Sequence, residues 1–175
     1  RFLVFCADMH RGQRIAEMRG KEHVNNTLDT FMNAAVDASL AMMSFITAAG
    51  FKGLGTCPVS AVRAHTADIC ELLGLPKGVY PVAGLTVGYP TDDGRFTLRL
   101  PPSVVVHHGK YDDSALETEL KAYDARRNKL QPIAPEKQMH QDDFGISDDY
   151  GWTENTARRL AKRERADFGA FIRSH

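Results

Sequence analysis

The sequence of 175 residues has three cysteines, one tryptophan and no excess of charge of either sign. Lysine plus arginine and aspartate plus glutamate both number 22, and this balance gives no support to a role on nucleic acid or on a membrane surface. Cys6, Cys57 and Cys70 lack the spacing of a metal site. Such a sparse, odd set indicates reduced thiols. We therefore predict a cytoplasmic protein with neither nucleic-acid nor membrane partners.

The familiar catalytic signatures are also missing. The sequence has no Gly-x-Ser-x-Gly elbow, no phosphate loop and no Gly-x-Gly-x-x-Gly run after a strand. His107 and His108 are adjacent in a predicted strand, where neighbouring side chains point to opposite faces. They are therefore poorly placed to share a metal ion, and we predict no metal site.

A long apolar stretch from Val24 to Ala49 is the most prominent feature. Its apolar and small residues occupy nearly every face of a helix of roughly 24 residues, about 36 Å long. A helix of this kind is buried on most sides, so we predict the centre of a domain or a subunit interface. Five polar residues argue against a membrane span: Asn33, Asp37, Ser39, Ser44 and Thr47.

The remaining pattern alternates helices and strands within one predicted domain, residues 1–175. We expect residues 128–151 to form a long mobile loop and residues 152–175 to form a C-terminal helix. We interpret Asp8–Gly20 as a solvated connection and Thr56–Ala61 as a turn in which Ser60 caps the next helix. The other predicted elements are strands at Arg1–Ala7, Val79–Tyr89 and Ser103–His107, and helices at Val62–Leu73 and Leu116–Arg127.

An ordered set of short motifs carries a family resemblance from Phe2 to about Tyr111. The motifs are Val36-Asp37-Ala38, Ala48-Ala49, Gly53-Leu54-Gly55, Leu72-Leu73-Gly74-Leu75-Pro76, Val87-Gly88-Tyr89-Pro90, Leu98-Arg99-Leu100-Pro101 and Val106-His107. In this order they resemble the nitroreductase family of FMN-dependent oxidoreductases, and within it the larger oxygen-insensitive NADPH nitroreductases and flavin reductases. The resemblance implies an α+β fold: a mixed or antiparallel sheet covered by helices, with the long central helix at a homodimer interface.

The resemblance also implies an N-terminal segment that this sequence does not contain. The sequence opens in a predicted strand without an initiator methionine. In the family, a preceding segment supplies the first helices and a basic motif that grips the FMN phosphate. We therefore expect the chain to be incomplete at its N-terminus.

The resemblance assigns a first group of site residues. Pro58, Val59, Ser60 and Ala61 are candidates for the wall beside the flavin ring, where related proteins often carry a glycine pair in place of Ser60-Ala61. The alternative is that these residues only link two structural elements. Arg99 is the candidate for the flavin phosphate or ribityl chain; the alternative is an ordinary surface arginine.

One further departure from the family pattern and one further pair of arginines complete the site. The family usually has a lysine where Thr97 stands, so one positive contact is missing. Arg126 and Arg127 are candidates for NADPH binding. They fit equally a solvated helix end, where basic residues complement the helix dipole.

The implied function is reduction of nitroaromatics, quinones or free flavin by FMN, with NADPH or NADH as the reductant. A cofactor that carries the chemistry agrees with the missing catalytic motifs. The implied mechanism is ping-pong hydride transfer to small-molecule acceptors. Two alternatives remain open: a non-catalytic flavin-binding or interaction module, and another flavoenzyme of the superfamily, since fold alone does not choose among activities.

Overall fold

The computed structural model describes residues 1–92, 94 and 96–175. The chain divides into two compact units where the sequence predicted a single domain. Unit 1 comprises residues 1–94 and 165–175, and unit 2 comprises residues 95–164. The fold class is α+β, as predicted.

The sheet of unit 1 has three antiparallel strands in the order β1-β3-β2, which settles the predicted choice between mixed and antiparallel. A bulge between Phe5 and Cys6 shifts the β1 register where Cys6 lies opposite Pro81. Proline cannot donate a ladder hydrogen bond, and a bulge is one of the places where a sheet accepts it. The strands are β1 (Phe2–Asp8), β2 (Gly55–Val59) and β3 (Val79–Gly88).

The central strand β3 is buried along most of its length, which confirms the strand predicted from its apolar run. Leu85 is fully buried, and Pro81 is enclosed almost as completely. Helix α2 (Leu28–Phe51) packs against all three strands, and α3 (Thr66–Leu73) packs against β3. Such cover explains why the sequence of β3 is nearly continuously apolar rather than alternating.

Helix α2 confirms the predicted long helix. The Thr27 side chain accepts a hydrogen bond from the Thr30 N–H at 3.3 Å. The helix ends at Phe51, and Lys52 caps it before Gly53, which has φ of +72°. Within a single chain only Ala38 and Ala49 of this helix are buried, so the expected burial on most sides is not provided by the chain itself. The exposed apolar side chains include Leu28, Met32, Val36, Leu40 and Met43.

Within the described part of the chain, α2 alone is long and apolar enough to cross a membrane by length and composition. Core helices pass the same test. The hydroxyl groups of Ser39, Ser44 and Thr47 each donate to the carbonyl four residues earlier, at 2.7, 2.9 and 3.0 Å. These polar groups are therefore satisfied inside the helix and do not by themselves need water.

Three local predictions are wrong. Residues 10–18 form α1 (His10–Met18) instead of a solvated connection, with the Asp8 carboxylate accepting the Arg11 N–H at 2.9 Å at its start. Residues 55–59 form β2 instead of a turn, because β3 offers them a pairing edge. The predicted strand Ser103–His107 is replaced by α4 (Pro102–Val105), whose first residue is a proline, which suits the first turn of a helix.

Unit 2 is helical, and its longest helix confirms the helix predicted from Leu116. The predicted loop 128–151 contains the end of this helix, a 3-10 turn at Pro135–Lys137 and one short helix, and its mobility remains a prediction. The helices of the unit after α4 are α5 (Leu116–Leu130), α6 (Gln141–Phe144) and α7 (Trp152–Leu160).

The predicted single C-terminal helix is wrong. After α7, a separate helix α8 (Phe168–Ser174) belongs to unit 1. Arg165 lies between the two helices with φ of +53°, a left-handed conformation that interrupts a right-handed helix.

Arg158 of α7 is buried, at 4% exposure. Its Nε donates to Glu154 at 2.7 Å, and its Nη1 donates to the carbonyls of Gly145 at 2.7 Å and Met139 at 3.2 Å. A buried charge requires such partners. Arg158 therefore ties the segment before α7 to that helix.

Asp124 organises the start of α7. Its carboxylate accepts hydrogen bonds from the N–H groups of Trp152 at 2.8 Å and Thr153 at 3.2 Å, and from the Thr153 hydroxyl. These are N–H groups that a helix cannot satisfy internally. Gly151 permits this approach, because a Cβ there would lie 2.5 Å from the Asp124 Cγ.

We expect Asp124→Ala to lower the free energy of unfolding by about 1–2 kcal/mol, the usual cost of losing a helix cap. Urea unfolding followed by circular dichroism measures the change. Asp148→Ala, at an exposed aspartate, is the matched control and should stay within about 0.5 kcal/mol of the parent. Equal stabilities for the two variants would contradict the capping role.

Candidate cofactor-binding site

Pro58 to Ala61 lie where the edge strand β2 runs into a 3-10 helix at Ala61–Ala64. Pro58 is paired with Leu85 of β3, and Val59 is paired with Gly84. Pro58, Ser60 and Ala61 are exposed, whereas Val59 is half-buried. The segment is therefore a strand end with an accessible surface rather than the predicted turn.

Ser60 does not cap the following helix, contrary to the prediction. It has φ of −85° and ψ of −12°, and its side chain makes no capping hydrogen bond. Its Oγ instead accepts a hydrogen bond from the Arg165 Nη2 at 3.0 Å. The first N–H groups of a helix have no partner within it, so this corner can offer donors to an electron-rich group.

Arg63 adds positive charge to the same corner. It is half-buried, and its Nη1 donates to the Val82 carbonyl of β3. Burial and, after it, the neighbouring Arg165 charge lower the pKa of Arg63.

Arg99 is exposed in an irregular segment of unit 2. The buried Tyr123 of α5, at 3% exposure, donates its hydroxyl to the Leu98 carbonyl at 3.0 Å. This bond fixes the backbone immediately before Arg99. Within residues 1–92, 94 and 96–175, the Arg99 guanidinium has no hydrogen bond or ion pair, so it is free to meet an anion.

Arg126 and Arg127 follow Tyr123 by three and four residues, so they lie on the Tyr123 side of α5. Arg126 is exposed. Arg127 is half-buried, and its Nη1 is buried without a hydrogen-bond partner among the described residues, as is the Asn128 Oδ1. A buried, unpaired donor is costly. An anionic group bound at Arg127 would remove that cost, so these residues fit a phosphate-bearing cofactor or nucleotide.

The predicted residues thus fall into two groups. Arg99, Arg126 and Arg127 belong to unit 2, and Pro58 to Ala61 belong to unit 1. Sequence reasoning missed Arg63, Arg165 and Tyr123 as supporting residues. No local pattern indicated that the Tyr123 hydroxyl bonds the Leu98 carbonyl, or that Arg165 returns to Ser60 across 105 positions.

Other chemistry-bearing groups have ordinary structural roles. No group of three or more histidine, cysteine or acidic side chains within the described ranges can hold a metal ion. The His107 ring packs on Tyr111 at 4.4 Å, and its Nδ1 is 3.3 Å from the Asp112 N–H. Burial raises the pKa values of the Cys6 and Cys70 thiols, which keeps them protonated at neutral pH.

Comparison with known proteins identifies the class to which this fold and these residues belong. The model of the nitroreductase family matches residues 3–89, and the model of the nitroreductase family C-terminal domain matches residues 98–175. The chain belongs to the nitroreductase family, which confirms the resemblance inferred from its motifs.

Two curated proteins illustrate the sequence similarity to members of this family. An FMN reductase [NAD(P)H] of Bacillus subtilis is 37% identical over 131 residues, which are 73% of this chain and 53% of the relative. An oxygen-insensitive NADPH nitroreductase of Salmonella typhimurium is 34% identical over 110 residues, 63% of this chain and 44% of the relative. The chain therefore spans about half the length of the curated relatives it matches.

Solved structures agree with the fold over nearly the whole chain. NfrA1 of B. megaterium has a TM-score of 0.82 and 32% identity, covering 99% of this chain and 68% of that one. The NADPH:FMN oxidoreductase from Vibrio harveyi, complexed with NAD+, has a TM-score of 0.81 and 25% identity, covering 99% and 65%.

Proposed function

We propose that this protein is an FMN-dependent NAD(P)H oxidoreductase that reduces small-molecule acceptors such as nitroaromatics, quinones or free flavin. The observation that carries the proposal is a family match over both units combined with unpaired arginine donors in unit 2. Relatives named FMN reductase and NADPH nitroreductase support the same reaction class. Three free thiols are compatible with a cytoplasmic site of action.

In this proposal Arg99 binds the flavin phosphate. Its guanidinium is exposed and unpaired among the described residues, and the Tyr123 hydroxyl fixes the chain beside it. A guanidinium fork can hold two phosphate oxygens at once. Thr97, which is exposed, stands where the family usually has a lysine, so Arg99 carries more of the phosphate charge here.

Pro58 to Ala61 are assigned to the flavin ring. Backbone N–H groups at Ser60 and Ala61 donate to the polar edge of the ring, and the apolar Pro58 and Val59 exclude water beside it. Such preorganised donors favour negative charge that develops on a bound group. When bound, FMN supplies two-electron chemistry, with NAD(P)H as donor and a small molecule as acceptor.

Arg126 and Arg127 are assigned to the nicotinamide nucleotide. Arg126 is exposed at the surface of α5, where it can meet a phosphate from solvent. The orphaned Nη1 of Arg127 gains a partner when an anion arrives. The two side chains hold the reductant by charge and leave redox chemistry to the cofactor.

Anaerobic half-reactions test the function. We expect NADPH to bleach the absorbance of the FMN-loaded protein, and a quinone added afterwards to restore it. Flavin that binds but resists reduction by both NADPH and NADH would instead establish the non-catalytic flavin-binding module. Reduction without reoxidation by any quinone or nitroaromatic would contradict the acceptor class.

We expect Arg99→Ala to weaken FMN binding roughly 10- to 150-fold. The reason is the loss of a charge-assisted hydrogen bond worth about 1.5–3 kcal/mol. Flavin fluorescence titration measures the dissociation constant. Lys121→Ala is the control, because Lys121 is an exposed cation on α5 paired with Glu117 at 2.7 Å. Unchanged FMN affinity in Arg99→Ala would remove Arg99 from the site.

We further propose that the protein works as a homodimer built on α2. A single chain leaves Val36, Leu40 and Met43 of this helix exposed, and these residues share one face. The hydroxyls of Ser44 and Thr47 on that side are satisfied by helix carbonyls. A contiguous apolar surface of this kind marks an interaction site, and a second copy covers it.

We expect Leu40→Glu to convert the dimer to monomer or to aggregate, because it places a charge in an apolar interface. Sedimentation velocity measures the assembly state. Leu72→Glu is the matched control, since Leu72 is 78% exposed on α3 and lies outside the proposed interface. A stable, well-folded monomer of the parent protein would overturn the dimer.

A further inference from the structure

The segment that carries Arg99, residues 96–100, lies outside helices and strands. Within it Leu98 and Leu100 are half-buried, whereas Thr97 and Arg99 are exposed. This alternation is that of an extended chain, in which successive side chains point to opposite sides. Because the backbone here has neither a helix nor a strand ladder to hold it, the position of the Arg99 side chain depends on the contacts that reach the segment from α5.

Two side chains supply these contacts, one within α5 and one at the residue that ends it. The Tyr123 hydroxyl donates to the Leu98 carbonyl at 3.0 Å, and the Gln131 Nε2 donates to the Phe96 carbonyl at 3.5 Å. The Tyr123 bond is the shorter one, and its donor belongs to a side chain with 3% exposure. The Gln131 bond is long for an N–H donor. Tyr123 therefore contributes most to holding the segment.

Tyr123 is itself fixed in place. Its ring packs edge to face on Trp152 of α7, with 5.5 Å between the ring centroids and 83° between the ring planes. The next residue, Asp124, accepts the Trp152 N–H at 2.8 Å. A binding group is positioned well when the residues behind it are locked by packing and hydrogen bonds. The buried hydroxyl thus presents a fixed donor immediately before Arg99.

We propose that Tyr123 is a positioning residue for Arg99 and thereby sets the preference of this protein for FMN over riboflavin, the same flavin without its phosphate. The inference rests on the proposed function, in which Arg99 binds the flavin phosphate. Holding the Leu98 carbonyl orders the Arg99 backbone before the ligand arrives, so less freedom is lost on binding. Riboflavin has no phosphate for Arg99 to hold, so its affinity does not depend on the Tyr123 bond. Gln131 makes a smaller contribution of the same kind.

Fluorescence titration with FMN and with riboflavin measures this preference as the ratio of the two dissociation constants. We expect the parent protein to bind FMN more tightly than riboflavin. Tyr123→Phe removes the hydroxyl and keeps the ring, and it should weaken FMN binding roughly 3- to 10-fold, as for the loss of one hydrogen bond. Its riboflavin affinity should stay unchanged. A residue that only supported the fold would weaken binding of both flavins alike.

Three further variants sharpen the test. Tyr111→Phe is the matched control, because it removes the hydroxyl of a tyrosine in the same unit that is 75% exposed, and it should leave both affinities unchanged. Gln131→Met should weaken FMN binding less than Tyr123→Phe does. The double variant Arg99→Ala with Tyr123→Phe should bind FMN as tightly as Arg99→Ala alone, because the Tyr123 bond acts only through Arg99.

The outcomes separate the positioning role from the proposed function. A parent protein that binds FMN no more tightly than riboflavin would overturn the phosphate role of Arg99 and this inference with it. Where the parent prefers FMN, the positioning role alone is overturned by an unchanged preference in Tyr123→Phe, by an equal loss for both flavins, or by a further loss in the Arg99→Ala background. An unchanged preference in Gln131→Met would overturn the second contact. Urea unfolding followed by circular dichroism checks that each variant is folded.

Discussion

The pairing of β3 with strands on both sides is the interaction on which unit 1 depends. Its backbone groups are shared between β1 and β2, and its side chains are covered by α2 and α3. Leu85 and Pro81 at its centre are the most completely buried large residues among those described. The edge strand β2, and with it Pro58 to Ala61, has its position because β3 supplies its hydrogen-bond ladder.

Unit 2 has no sheet among its described residues, and hydrogen bonds from polar side chains organise it instead. Asp124 accepts hydrogen bonds at the start of α7, Arg158 donates to the segment before α7, and Tyr123 donates to the chain beside Arg99. Each of these groups is at least half-buried and fully engaged. Buried polar networks of this kind specify one arrangement, because leaving any member unpaired is costly. Among the described residues of unit 2, the exceptions are the Arg127 Nη1 and the Asn128 Oδ1, which are buried without a hydrogen-bond partner.

Much of this architecture was predictable from the sequence, for reasons that differ from residue to residue. Helix α2 and strand β3 carry long, nearly uninterrupted apolar runs, and their lengths distinguish helix from strand. Helix α1 was not predicted, because side-chain pairs such as Arg11 with Asp8 stabilise it, and a hydrophobic pattern does not show such pairs. Strand β2 was missed because a short segment becomes a strand only when a partner edge is available.

The candidate site was predictable only where the family resemblance extended. Arg99 and the Pro58 to Ala61 segment came from motifs, and their roles remain proposals. The proximity of Arg63 and Arg165 could not be predicted from the sequence, because the two residues are 102 positions apart and no local sequence pattern indicates it. Tertiary contacts of that separation are set by packing of α8 on the rest of unit 1, which single-sequence patterns do not encode.

We expect this chain to bind FMN. Titration of the purified protein with FMN, followed by the flavin absorption spectrum and by equilibrium dialysis, tests it directly. We expect a perturbed flavin spectrum and saturation at one FMN per protomer. A free-flavin spectrum and no retained FMN at saturating concentration, from protein with a cooperative unfolding transition, would contradict it.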